Sequence, residues 1–112
     1  MYQKYVALGR TTKDVRLWYS PDGQSVANFT LAVNRKNKAD FIPCVAWGNM
    51  AKTYADNVGK GSLILVEGEF RSYTRDKQDG VEYELKLEVH EVKFIDLKPV
   101  NNGNEMEQNT DS

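Results

Sequence analysis

One cysteine, one histidine and three prolines are all that this 112-residue chain holds of those residue types. A lone Cys44 excludes an internal disulfide. With no apolar signal segment behind Met1-Tyr2-Gln3-Lys4, a reducing cell interior is the expected location. A lone His90 with no Cys/His cluster removes the ligand spacing of a zinc site. There is no phosphate-cradling glycine loop and no activated serine or cysteine pattern. No apolar run approaches the roughly 20 residues of a membrane-spanning helix. The length suits one domain with a real core and is too short for two. Internal repeats are also missing. An enzyme, a resident cofactor or a metal centre is therefore not expected, and attention turns to what the chain can bind.

The net charge of −1 conceals an uneven distribution. Residues 1–78 hold 12 Lys/Arg against 7 Asp/Glu, whereas residues 79–112 hold 3 against 9. A basic body can neutralise an anionic polymer while an acidic end stays clear of it. Acidic strand faces and tails also keep ordinary proteins soluble, so charge alone decides nothing. Aromatics make up 11% of the residues and are spread over several segments rather than gathered in one cluster.

The run from Asp40 to Gly48 organises the rest. With a period of two, Phe41, Pro43, Val45 and Trp47 share one face, and Ile42, Cys44 and Ala46 share the other. The second set suits a core. The first carries an aromatic at each end and nothing that obliges it to be buried. Either this is a central strand covered on both sides, or it shows its rings to flat ligands such as unpaired bases.

Before this run, Tyr2–Arg10 alternates as a strand, and Gly9 allows a sharp bend. Thr11–Asp14 interrupts it, and Val15–Tyr19 resumes extended structure. Ser20-Pro21-Asp22-Gly23 is a turn. Val26–Asn34 forms a second strand with Phe29, Leu31 and Val33 on its apolar face. Arg35-Lys36-Asn37-Lys38 is a basic hairpin loop. Beyond Gly48 the period becomes helical, with Ala51, Tyr54, Ala55 and Val58 on one face. Asn49 is the expected N-cap and Gly59 the residue past the C-cap. Leu63–Tyr73 is a strand with a bulge or bend at Gly68. Thr74–Gly80 reads as a charged loop turning at Asp79-Gly80. Val81, Tyr83, Leu85, Leu87 and Val89 then alternate, and a three-residue step from Val89 to Val92 signals another bulge.

Five strands with one helix between the third and fourth is the order of an OB-fold, an all-β Greek-key barrel plugged by that helix. An SH3-like barrel and a small α+β sandwich are the alternatives, and the helix position argues against the first. The domain is expected over residues 1–98. Residues 99–112 are too polar to fold and should form a short, disordered acidic tail.

Gly9-Arg10-Thr11-Thr12-Lys13-Asp14, Pro21-Asp22-Gly23, Val26–Arg35, Asp40–Trp47 and Lys60–Gly68, in this order and spacing, resemble the bacterial-type single-stranded DNA-binding protein family. The likeness covers roughly residues 1–97. It implies an OB-fold, a homotetramer (with a dimer as the alternative), and sequence-tolerant single-stranded DNA binding in replication, recombination and repair. Phe41 and Trp47 fall on the family's two third-strand stacking positions. The chain departs from the pattern in three places. The aromatic common in the loop after the second strand is missing, with Asn37 nearest to it. The aromatic of the later hairpin is replaced by Arg75, so that either Tyr73 substitutes along the same face or Arg75 stacks its guanidinium on a base. The Gly/Gln-rich tail ending in Pro-Phe, which recruits partners, is missing. That points to a phage-encoded or plasmid-type member, or to different replication or recombination partners. The setting would be the cytoplasm of a bacterial cell or of a phage-infected host.

The expected nucleic-acid contacts are thus Phe41, Trp47 and Tyr73 by stacking, and Arg35, Lys36, Lys38, Arg71 and Arg75 by phosphate neutralisation. Arg10 and Lys13 rank behind them. Trp18 belongs either to this surface or to a subunit contact. No catalytic residue, metal ligand or cofactor is expected, and no membrane. Two other readings are a protein-interaction or primosome-like OB module and an OB-fold nuclease, although Glu67, Glu69, Glu82 and Glu84 read as ordinary strand-face charges.

Overall fold

The computed structural model describes residues 3–100, apart from the side chain of Arg75, so the tail expected over residues 99–112 lies, beyond Val100, outside the described residues. The elements follow in the order β1 (Tyr5–Thr11), β2 (Arg16–Tyr19), β3 (Ser25–Arg35), β4 (Lys38–Trp47), α1 (Asn49–Asn57), β5 (Leu63–Lys77) and β6 (Gly80–Asp96). The sheet order is β1-β5-β6-β4-β3-β2, and β1 also pairs with β3, which closes the ring. The expected first strand is therefore present as two arms, β1 and β2. Both pair with β3, through Arg10↔Ala32 and Thr11↔Leu31 for one and Arg16↔Asn28 to Tyr19↔Ser25 for the other. All pairings are antiparallel except the short β4–β6 contact at Cys44↔Leu87 and Val45↔Glu88. This is the five-stranded OB barrel with its first strand broken. No helix among the described residues is long and apolar enough to cross a membrane.

The inward positions of each strand build the core. Ala27, Phe29 and Leu31 of β3, Cys44 and Ala46 of β4, Ile64 and Val66 of β5, and Leu87 and Val89 of β6 are all buried. Each large side chain removed from water contributes about 1.5–3 kcal/mol before entropy is counted. The apolar face of α1 closes one end with Ala51 and Tyr54, followed by Val58. The Tyr54 ring meets Phe29 edge-on, with centroids 4.8 Å apart. Cys44 lies within this core, and burial pushes its thiol up to about 12. Two glycines permit the closure. A Cβ on Gly9 would lie 2.7 Å from the Ala32 carbonyl oxygen where β1 crosses β3, and one on Gly68 would collide with the Glu88 backbone.

The register shifts at Glu67/Gly68, where Glu67 faces Glu91 and Gly68 faces Val89, leaving His90 as the extra residue. The expected bend at Gly68 and the slip after Val89 are thus two sides of one bulge. Several local expectations need correction. Gly48, at φ 70°, is the helix N-cap and makes no side-chain bond, while Asn49 is already helical. Val58 is the C-cap, in an extended conformation, so Gly59 is the residue past it as expected, though without a left-handed φ. The Gly59 N–H instead meets the Lys98 carbonyl at 3.1 Å. The charged loop expected over Thr74–Gly80 is almost entirely strand, since pairing runs out to Lys77↔Gly80. Polarity on both faces of an exposed ribbon mimics a loop, but the backbone ladder does not depend on it. The basic loop after β3 likewise narrows to Lys36-Asn37, with Arg35 and Lys38 paired across it. Lys36 takes φ 52°, a position that favours glycine.

Candidate nucleic-acid interface

The outward positions of β2, β3 and β4 form a second, uncovered face. Cross-strand register places Trp18 beside Val26, and Val26 beside Trp47. Two strand spacings separate the tryptophans, about 10 Å. Trp18 is 57% exposed and Trp47 is half-buried. Phe41 stands at the far end of β4, opposite the small Ala32, and is 64% exposed. At strand rise it lies roughly 20 Å from Trp47. Val45, midway along this face, shares its side with Phe41 and Trp47 by period. It is in fact only 2% exposed, between its register partners Asn28 on β3 and Glu88 on β6. The flanking strands enclose the middle of the row, and its ends stay open.

Beyond the barrel, β5 and β6 continue as a two-stranded arm that brings Tyr73 to this face. The Trp47 indole lies beside the Tyr73 hydroxyl. Burial raises the Tyr73 phenol, helped by Glu88 and opposed by Trp47 and by Arg71. Lys86 Nζ lies 5.5 Å from the Tyr73 ring centroid and donates to Asn28 Oδ1 at 3.0 Å. Trp47, Tyr73, Lys86 and Asn28 thus form one connected group whose members come from four strands. In backbone register, Arg75 stands opposite Glu82 on the arm.

The cations at this face differ in their engagements. Arg35 forks onto Asp40, with Nε–Oδ2 at 3.0 Å and Nη2–Oδ1 at 3.2 Å. Arg71 contacts Glu88 Oε1 at 3.0 Å and Glu69 Oε1 at 3.6 Å. His90 Nε2 reaches the same Glu88 oxygen at 3.2 Å. Burial pushes the Glu88 carboxyl up, but His90 and Arg71 outweigh it and hold the group below its ordinary range. Lys36 and Lys38 are exposed at the β3–β4 turn. Lys86 and Asn28 were missed by sequence reasoning. The only signal for Lys86 was its position as a single cation among Glu82, Glu84 and Glu88. Asn28 belonged to a polar face that alternation had marked without assigning it a use. Arg16, Trp18, Asn28 and Lys86 line a cleft of about 410 Å³ that the β1–β2 connection walls on its far side.

The family described as "Single-strand binding protein family" matches residues 2–95. The chain is 40% identical over 108 residues to single-stranded DNA-binding protein 3 of Clostridium acetobutylicum, covering 89% of this chain and 75% of that protein. It is 40% identical over 113 residues to a single-stranded DNA-binding protein of Bacillus cereus, covering 94% of this chain but 65% of the relative. To single-stranded DNA-binding protein A of Bacillus subtilis it is 39% identical over 111 residues, 92% of this chain and 63% of the relative. The chain therefore spans about two thirds to three quarters of the length of these relatives.

Proposed function

Since the chain belongs to the single-strand binding protein family, we propose that it binds single-stranded DNA without regard to sequence. Its role is to hold exposed strands during replication, recombination and repair. The observation that carries this reading is the aromatic face. Trp18 and Trp47 share one cross-strand row, Phe41 stands open at the far end, and Tyr73 lies beside Trp47. Every base has a π-face, so such a surface tolerates any sequence, and each stacked base contributes about 1–3 kcal/mol. Tyr73 takes the stacking place on the arm, and Lys36, Lys38, Lys86 and Arg75 meet phosphates. Arg35 and Arg71 join them once their carboxylates are displaced. The work is binding rather than catalysis, inside the reducing interior of a bacterial cell.

A second copy completes the molecule. From Tyr5 to Gly9, β1 pairs with β5 on one side, and only Arg10 and Thr11 meet β3 on the other. Val6 and Leu8 are exposed along this stretch. An open edge flanked by apolar side chains favours strand pairing between copies, the first step towards a tetramer.

Titration of oligo-dT against tryptophan fluorescence tests the site. Stacking should quench Trp47, and Trp47→Ala and Phe41→Ala should each weaken binding by about 1–3 kcal/mol with the fold intact. Wild-type affinity in both variants at moderate salt would move the site elsewhere. Labelled oligonucleotide incubated with magnesium should be recovered at full length. Light scattering should show Val6→Lys lowering the mass of the assembly.

A further inference from the structure

The cleft beside Trp18 does not stop at the sheet. A second concavity of about 330 Å³, lined by Lys13, Asp14, Arg16 and Lys60, shares three of those four residues with the first. The two form one groove that begins at Trp18, Asn28 and Lys86 and turns the corner between β1 and β2. The character of its lining changes along the way. The first part offers an indole face and so can take a base. The second holds three cations and one carboxylate with no ring, which suits the phosphodiester backbone alone.

The corner is anchored rather than loose. Thr12 donates to the Thr30 carbonyl through its N–H at 3.2 Å and its Oγ1 at 3.3 Å. Val15 is buried in the core, and its N–H meets the Val58 carbonyl at 3.4 Å. With Val15 turned inward, Asp14 and Arg16 on either side of it turn outward. Asp14 Oδ1 accepts from the Lys60 backbone N–H at 2.8 Å, which ties the β1–β2 connection to the segment after α1 and brings Lys60 to the groove. Three positive charges are thus held on fixed backbone where a strand leaving Trp18 would pass.

We propose that single-stranded DNA leaves the aromatic face through this corner, with its phosphates carried by Arg16, Lys13 and Lys60. This rests on the single-strand binding reading above and adds an exit track to it. Arg16→Gln/Lys60→Gln and the wild-type chain would be titrated with oligo-dT of about 5 and about 16 nucleotides, lengths near the two ends of what one such barrel covers. The short oligonucleotide should bind both proteins alike. The long one should bind the variant on the order of tenfold more weakly. Its log–log salt slope should be shallower by about 1.4, two phosphate contacts at about 0.7 each. Arg16→Lys/Lys60→Arg should restore the wild-type slope, and thermal unfolding should be unchanged because the altered side chains are exposed. If the long oligonucleotide keeps its affinity and slope in the variant, the exit track is wrong while the binding function stands. Equal weakening at both lengths also overturns the track, by placing these cations within the aromatic site. If the wild-type chain binds neither length, the proposed function falls and the track falls with it.

Discussion

Below Phe70 the β5–β6 ladder is barrel wall; above it the same two strands run on as a free arm. In the wall, alternation buries Ile64 and Val66 on β5 and Leu87 and Val89 on β6. In the arm the same alternation carries Leu85, Tyr83 and Val81 into solvent. The difference lies in what stands opposite. Leu87 faces Phe70 and lies alongside β4, whereas Leu85, Tyr83 and Val81 face Ser72, Thr74 and Asp76 with no further layer beyond them. A period of two therefore tells which side a residue points to, and only the closure of the ring tells whether that side is covered. Stability should reside in the wall, and the arm should contribute to binding.

Substitutions along these strands test the contrast, the largest effect first. Leu87→Ala, at 1% exposure, should cost about 2–5 kcal/mol by denaturant titration. Leu85→Ala, two residues along the same strand at 55% exposure, should stay within about 0.5 kcal/mol. Equal costs would erase the distinction between wall and arm. Next, Tyr73→Ala should weaken oligo-dT binding by about 1–3 kcal/mol and leave the unfolding midpoint almost unmoved. A stability loss without a binding loss would make Tyr73 a wall residue. Tyr54→Phe should be neutral or stabilise by about 1 kcal/mol. The Tyr54 hydroxyl is buried and has no hydrogen-bond partner among the described residues, and burial drives its titration well above the ordinary range. The smallest effect is electrostatic. Glu88→Gln/Glu69→Gln should release Arg71 from both carboxylates, tighten oligo-dT binding a few-fold and steepen the salt slope by about 0.7, the increment of one phosphate contact. An unchanged slope would mean that Arg71 does not reach the strand.

Much of this architecture is legible in the chain. Ala27, Phe29, Leu31, Cys44 and Ala46 announce their inward face by period, and the helical spacing of Ala51, Tyr54 and Val58 announces the plug. The bulge is legible twice, as Gly68 on one strand and as the slip after Val89 on the other. Caps and loop ends are less so. Gly48 displaces Asn49 as the cap because the chain must turn sharply from β4, and Gly59, past the C-cap as expected, answers to the close backbone of Lys98 and Pro99 rather than to a left-handed turn. Both depend on segments distant in sequence. At the site, Phe41, Trp47 and Tyr73 could be named because rings on an otherwise unassigned face are conspicuous. Lys86 and Asn28 could not, since their importance comes from Lys86 on β6 reaching past β4 to Asn28 on β3, which no local pattern encodes. The engagement of Arg35 by Asp40 and of Arg71 by Glu88 was equally hidden, although all four side chains were in plain view.

Those two engagements bear on how binding will respond to ionic strength. When an arginine that faces water neutralises a phosphate, the strand sheds the cations condensed there, and added salt opposes the exchange. Arg35 and Arg71 would instead leave a carboxylate behind that gathers cations in turn, so little is released to the bulk. The protein holds its own stand-ins for phosphate, and the salt dependence of binding should therefore undercount the charges that touch the strand.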